Sequence, residues 1–121
     1  KEYLDGLTFS SISSEQQTET IQVSIAANNS GSGNVYVIDG VQNKSLTLKI
    51  GTTYTFTHSS SHPFRFSNTS NGTHGGGAEY MNGVTTSSGS TVIEVTATTS
   101  STLYYYCSIH SGMGGTITVT E

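Results

Sequence analysis

The strongest constraint on the fold of this chain is a short stretch near its C-terminus, residues 104–115. It contains the only cysteine, Cys107, followed at three-residue intervals by His110 and Met113. These three residues lie between two predicted strands, whose aromatic and β-branched residues are typical of strands. Because glycine accepts backbone angles that other residues avoid, the glycine-rich end of the stretch favours a tight connection between two strands. We therefore expect the three side chains to meet at one end of a strand pair.

These side chains offer a thiolate, an imidazole and a thioether to a metal ion. Sulfur donors select copper over magnesium or calcium, and with a second imidazole they would complete the ligand set of a blue-copper site. The alternative is a buried cysteine, a surface histidine and a core methionine that are neighbours without a shared role. The spacing, with glycines around Met113, favours the metal site.

Three other histidines could supply the second imidazole, namely His58, His62 and His74. His62 is the best candidate, because it precedes Pro63, whose ring fixes the backbone, and a predicted strand begins directly afterwards. His58 lies at the end of a predicted strand and is better interpreted as a half-exposed strand residue. His74 lies in a glycine-rich loop, where we expect it to face solvent with nothing to fix it near the site.

The rest of the sequence predicts an all-β domain. About a third of the residues are Ser or Thr, and segments rich in Val, Ile, Tyr, Phe and Thr alternate with turn residues, which favours strands. Seven or eight short strands of this kind are typical of a Greek-key antiparallel β-sandwich or barrel. The predicted strands are Ile21–Ile25, Val35–Ile38, Ser45–Ile50, Tyr54–His58, Phe64–Phe66, Thr91–Thr96, Leu103–Tyr106 and Gly115–Thr120, with a further short strand near Leu7–Ser10.

The least regular parts of the sequence are its beginning and the stretch at residues 68–90. We assign residues 1–20 to a linker or edge segment and residues 21–121 to one domain. A loop as long as 68–90 is usually functional or contains minor structure of its own. We expect Tyr80 and Met81 to dip into the core there.

With these motifs the chain resembles the cupredoxins, the plastocyanin–amicyanin–azurin group of blue copper proteins. Cys107, His110 and Met113 match the short, amicyanin-like form of their C-terminal ligand loop, and His62 matches their upstream histidine. The resemblance covers roughly residues 34–121. It implies a cupredoxin-like fold, one copper ion held by these four residues, with the methionine as a long axial ligand, and a role as a one-electron carrier.

The resemblance also implies a docking surface for a redox partner protein. In the family, the loop histidine is the exposed edge through which electrons pass. By this likeness a partner would dock near His110, with Ile109, Pro63 and Met81 around it. Because the chain has few charges, docking would depend on apolar contact more than on electrostatic steering.

The sequence departs from the family pattern at one position. Plastocyanin-like members carry an asparagine directly after the upstream histidine, where its hydrogen bonds brace the cysteine loop. Here Pro63 occupies that place and has no N–H to donate. We therefore expect the bracing to come from Ser61, Ser108 or backbone groups.

Several functional classes are excluded. Multicopper oxidases and copper nitrite reductases place a histidine beside the blue-copper cysteine, whereas the neighbours here are Tyr106 and Ser108, and a binuclear centre of the CuA type needs two cysteines. The Gly75–Gly77 loop lacks the Lys-Ser/Thr of a phosphate loop, so we do not expect an enzyme. Four Lys and Arg residues and a net charge of −4 make nucleic acid an unsuitable partner, and no apolar run is long enough to span a bilayer.

A second interpretation is a structural or binding module of a larger cell-surface or virion protein, with copper structural or absent. Residues 62–67 and 72–77 are similar to cupredoxin-like modules in marine viral and microbial sequences, and the first residue is Lys1 rather than Met, which indicates a processed protein or an excised domain. Copper storage or delivery is a third interpretation. A lone thiol in a Ser/Thr-rich chain suggests a liganded cysteine and an extracytoplasmic location (periplasm, cell surface or secreted) or a virion.

Overall fold

The structure, a computed structural model, describes residues 17–121, and within them strands alternate with short turns. The predicted all-β class is confirmed: the described chain forms eleven strands and a single turn of 3-10 helix. The elements are β1 (Gln17–Gln22), β2 (Ser24–Ala27), β3 (Asn34–Ile38), β4 (Val41–Gln42), β5 (Leu46–Lys49), β6 (Thr52–Thr57), β7 (Phe64–Ser67), the 3-10 helix Gly72–Gly75, β8 (Val84–Ser87), β9 (Ser90–Glu94), β10 (Thr102–Cys107) and β11 (Gly115–Thr120).

The strands form three sheets. One has the strand order β1-β6-β9-β8, the second β5-β11-β10-β7, and the third is the small sheet β2-β3-β4. The pairing is antiparallel except for the pairs β1–β6 and β5–β11, which are parallel. Two strands that neighbour each other in the second sheet, β7 and β10, carry the ends that approach the candidate site.

The core is centred on Phe64, where aromatic side chains from all three sheets meet. Its ring centroid lies 4.8 Å from that of Phe56, 5.1 Å from that of Tyr105 and 5.3 Å from that of Tyr36, and all four side chains are fully buried. Aromatic pairs at such separations contribute about 0.5–1.5 kcal/mol each beyond the burial of their area. Because Phe64 begins β7, this packing fixes the point at which the chain leaves the His62 loop.

The structure has eleven strands where the sequence predicted eight within the same residues, for two physical reasons. The predicted strand Ile21–Ile25 is two strands, because the chain passes from the first sheet to the third at Val23, whose N–H donates to the carbonyl of Thr57 at 2.8 Å. Alternation of apolar residues continues unchanged across such a switch and cannot reveal it. The other two additions are β4 and β8, which are short and largely exposed and therefore carry little hydrophobic signal.

Asp39 and Gly40 form the hairpin turn between β3 and β4. Both residues have positive φ, 52° and 77°, as a two-residue hairpin turn of the primed type requires. The long loop at residues 68–90 contains the 3-10 helix and β8. Of the two residues expected to dip into the core there, Tyr80 packs against it, whereas Met81 is 50% exposed, so the expectation for Met81 is wrong.

The N-terminal boundary of the domain stays a prediction. Residues 17–20, which the sequence placed in the linker or edge segment, belong to β1, an edge strand that pairs with β6. The strand predicted near Leu7–Ser10 lies outside the described residues. In the part of the chain that the structure describes, no helix is long and apolar enough to cross a membrane.

Candidate metal centre

The pairing of β7 with β10 brings His62 and Cys107 to the same sheet edge. Cys107, the last residue of β10, pairs with Phe64, the first residue of β7. The ladder continues one step further, since the N–H of Ser108 donates to the carbonyl of Pro63 at 3.1 Å. The pairing therefore brings His62, two residues before Phe64, close to Cys107, although 45 residues separate them in sequence.

The loop that leaves β10 folds back so that His110 and Met113 approach the same place. The chain re-enters the sheet as β11, with Gly115 opposite Tyr105. The backbone N–H of Tyr36 in β3 donates to the carbonyl of Met113 at 3.0 Å. The loop is therefore held between β10 on one side and β3 on the other, and the Met113 side chain is buried.

Three donor atoms converge in this arrangement. The Cys107 Sγ lies 3.9 Å from the Nδ1 of His62 and 3.8 Å from the Nδ1 of His110, and the three ligand atoms lie within 4.8 Å of one another. A metal ion at about 2.3 Å from sulfur and about 2.0 Å from nitrogen, with an angle of about 120° between them, separates the two donors by about 3.7 Å. The two sulfur–nitrogen distances are therefore close to those expected if the three residues share one metal ion.

Exposure increases from one side of this group to the other. Cys107 is fully buried and forms no disulfide, His62 is half-buried and His110 is exposed. Met113 lines the same pocket as the two histidines, together with Ile109 and residues of the loop before β3. A thiol, two imidazoles and a thioether around one pocket form a soft donor set that fits copper.

The two other histidines of this region lie outside the three-residue group. His58 is half-buried just beyond β6, with its ring nitrogens 2.8 Å from the Ser59 carbonyl and 3.1 Å from the Thr91 hydroxyl. His74 faces solvent, as expected, but it is fixed near the site. Its Nε2 lies 2.8 Å from the carbonyl oxygen of Cys107, to which it donates a hydrogen bond.

The bracing expected in place of an asparagine comes from several directions. The backbone of Ser108 supplies one link, as described above, whereas the hydroxyl of Ser61 bonds to Ser59 within its own loop. A second link comes from Asn43, whose side-chain amide donates to the carbonyl of Gly114 at 2.8 Å. The ligand loop is thus held by residues far from it in sequence.

Tyr36 is a third brace that sequence reasoning missed. Its hydroxyl donates to the carbonyl of His62 at 2.6 Å, while its backbone N–H holds Met113 on the other side of the pocket. Burial, and secondarily the neighbouring Cys107, raises the pKa of Tyr36 far above its usual range. The hydroxyl therefore remains a neutral donor. In the sequence Tyr36 is one member of a strand, and no local signal separates it from a tyrosine that only fills the core.

The sequence matches no protein-family model and no curated protein. Solved structures nevertheless share its fold. The copper protein rusticyanin superposes with a TM-score of 0.52 at 18% identity, and rusticyanin from Thiobacillus ferrooxidans with 0.51 at 18% identity. Rusticyanin variants give 0.52 at 17% identity. Each match covers 87% of this chain and 79% of the other. The chain therefore has the cupredoxin fold, as predicted from its sequence.

Proposed function

We propose that this chain is a mononuclear type 1 copper domain that carries one electron at a time. The observation that carries the proposal is the convergence of the His62, Cys107 and His110 donor atoms, with the two imidazole nitrogens 3.9 Å and 3.8 Å from the sulfur. Likeness in fold to a copper protein supports it. The same residues would bind poorly to magnesium or calcium, which prefer oxygen.

In this proposal the Nδ1 atoms of His62 and His110, the Cys107 thiolate and the Met113 thioether would hold the copper ion. When bound, copper supplies the Cu(II)/Cu(I) couple, which takes one electron from a reduced partner and gives it to an oxidised one. The chain holds the donors still during this change, because Cys107 ends β10, His62 lies two residues before the paired strand β7, and the carbonyl of Met113 is bonded to β3. To bind copper, each imidazole must present an unprotonated Nδ1 and Cys107 must be a thiolate.

His110 is the proposed route for electrons. Its Nδ1 faces Cys107, so the opposite edge of its exposed ring faces away from the thiolate and toward a partner. Ile109 beside it is 57% exposed and lines the same pocket, so it adds apolar surface next to the exposed edge of His110. Met81 is also half exposed, but it does not line the pocket at His110.

The proposed docking surface should make electron transfer insensitive to salt. The residues that line the pocket at His62 and His110 are Gly, Asn, Ser, Ile and Met in addition to the histidines, so none of them carries a fixed charge. Electrostatically steered association falls steeply with ionic strength, whereas apolar docking does not. We expect the electron self-exchange rate of the copper-loaded protein to change by less than about threefold between low salt and 1 M salt. At 1 M, surface charges are screened within about 3 Å, so docking that depended on charge would respond to the change. A steep change in the rate with added salt, most simply a rise as salt screens the repulsion between two copies that each carry a net charge of −4, would contradict this docking surface.

The proposed function is tested by adding Cu(II) to the metal-free protein and recording the visible spectrum and a voltammogram. We expect one equivalent of copper, an intense thiolate-to-copper band and reversible one-electron cycling. Tight copper with no cycling would instead support a structural role, and rapid loss of copper to a chelator would support storage or delivery. A colourless protein without copper would refute the proposal altogether.

We further propose that the protein acts outside the cytoplasm and as a carrier rather than an enzyme. The single thiol, fully buried at the site, would be protected from oxidation by its metal in an oxidising compartment. Cys107 lies between Tyr106 and Ser108, so its sequence neighbours do not provide the histidine that links a second copper in the oxidases.

A further inference from the structure

We propose that residues 68–77, here called the glycine clamp, position the ligand loop (residues 107–113) by holding it at both ends. This inference rests on the proposed function and extends it to residues outside the ligand set. The sequence motif in this segment, with glycines at positions 72, 75, 76 and 77, has no role in binding the metal itself. The structure places it against the ligand loop.

The clamp contacts the ligand loop at two separate points. At the first, the Nε2 of His74 donates to the carbonyl of Cys107 at 2.8 Å. At the second, the side chain of Asn71 makes two hydrogen bonds: its amide nitrogen donates to the hydroxyl of Ser111 at 2.8 Å, and its amide oxygen accepts from the N–H of Gly112 at 2.9 Å. The two points lie on either side of His110, so both ends of the segment that carries this ligand are fixed.

The clamp is itself a closed structure, which allows it to act as a fixed support. The backbone N–H of Gly72 donates to the carbonyl of Thr69 at 2.9 Å, and that of Gly77 donates to the carbonyl of Gly72 at 3.0 Å. Asn71 has a left-handed φ of 64°, which asparagine tolerates better than most residues. This conformation lies at the start of the 3-10 helix, directly before the helical turn that carries His74.

Three of the four glycines of the clamp are required by close contacts. A Cβ on Gly72 would lie 2.5 Å from ring atoms of Tyr106, the residue before the cysteine ligand. A Cβ on Gly75 would overlap the carbonyl oxygen of Ser70, and one on Gly77 would overlap the side chain of Thr69. The missing side chains therefore have two effects. They allow the clamp to close on itself, and they allow it to pack against β10 next to the cysteine ligand.

Neither His74 nor Asn71 touches a metal donor atom, so both are positioning residues. They act on the backbone and side chains between the ligands, which is the role left open by Pro63. Removing contacts that hold the ligand residues without touching the metal typically changes metal affinity by about 10–100-fold. Together they explain why a glycine-rich loop that binds no phosphate lies beside the metal site.

The test uses two substitutions that remove the contacts and leave the clamp folded. Asn71→Gly deletes the amide but accepts the left-handed backbone. His74→Phe deletes the donor but keeps an aromatic ring against Tyr106, whose ring lies 6.2 Å away edge to face. Asn68→Ala is the matched control, because Asn68 lies in the same segment but bonds to Ser100.

Copper affinity, measured by competition with a chelator, should fall about 10–100-fold in Asn71→Gly and in His74→Phe and stay unchanged in Asn68→Ala. A second readout needs no metal. In the metal-free protein, hydrogen exchange at the Gly112 amide should become about tenfold faster in Asn71→Gly than in the unmodified chain, because its acceptor is lost.

These readouts separate the two proposals. If the unmodified protein binds copper and both variants bind it equally well, with unchanged spectra and unchanged exchange at Gly112, the clamp is refuted and the copper function stands. If the unmodified protein binds no copper, the proposed function fails. Exchange at Gly112 then decides alone whether Asn71 fixes the loop.

Discussion

Replacing Cys107 with serine should abolish the visible absorption of the copper-loaded protein and reduce its copper affinity by more than about 100-fold, the upper range for loss of an outer contact. The band arises from the thiolate, and a serine hydroxyl neither ionises at neutral pH nor offers a soft donor. The substitution is close to isosteric, and Cys107 is fully buried at the end of β10. The change therefore tests the ligand more than the packing.

Three comparisons make this result specific. Cys107→Ala should also lose the band, which excludes an effect of the new hydroxyl. His58→Gln removes an imidazole near Phe64 that is not part of the three-residue group, and should keep both the band and the affinity. Far-ultraviolet circular dichroism reports whether each variant keeps its strands. A folded Cys107→Ser protein that retains the band would show that copper is bound elsewhere.

The sequence was sufficient for the fold class and for the group of residues that meet at the site. Alternating apolar residues located β5, β6, β9 and β11, because in these strands one face is buried and the other is not. The three-residue spacing of Cys107, His110 and Met113 involves only neighbouring residues, so recognising it does not require a correct prediction of the strand topology. His62 was selected over two other histidines because Pro63 and the following strand fix its position, and the structure places it 3.9 Å from Cys107.

The supports of the site could not be predicted, because they come from distant parts of the chain. Tyr36 and Asn43 lie about 70 residues before the loop that they hold, and nothing in their neighbourhood in the sequence marks them. Asn71 and His74 belong to a loop that sequence analysis treated as functional or minor structure without assigning it a partner. Contacts of this kind depend on how sheets and loops pack together. The periodic pattern of apolar residues shows which face of a strand is buried, but it does not show which distant loop packs against that strand.

The same packing makes one glycine of the loop more important than its neighbours. Gly114 lies directly against β10, where a Cβ would overlap the carbonyl oxygen of Tyr105 and lie 2.9 Å from the Cα of Tyr106. Both are backbone atoms of β10, which is paired with a strand on each side. They therefore cannot move away as the end of a flexible side chain would. In Gly114→Ala the ligand loop must therefore move away from β10, and Met113 moves with it.

We expect Gly114→Ala to lower the free energy of unfolding by about 3 kcal/mol or more, at the upper end for overpacking, and to abolish tight copper binding. Urea denaturation of the metal-free protein measures the first effect, and competition with a chelator measures the second. The two should occur together, because the displaced loop both loses its pairing with the sheet and carries a ligand.

Gly112→Ala is the matched control, since the two glycines flank Met113 but differ in what surrounds them. A Cβ on Gly112 would meet nothing within 4 Å, although its φ of 82° disfavours alanine, which costs about 1–2 kcal/mol. Gly112→Ala should therefore be destabilised moderately and still bind copper, since its N–H can remain bonded to Asn71. If both variants bound copper equally well, close contact between the loop and β10 would not determine the position of Met113. If Gly112→Ala alone lost copper, the left-handed turn rather than that contact would control the ligand loop.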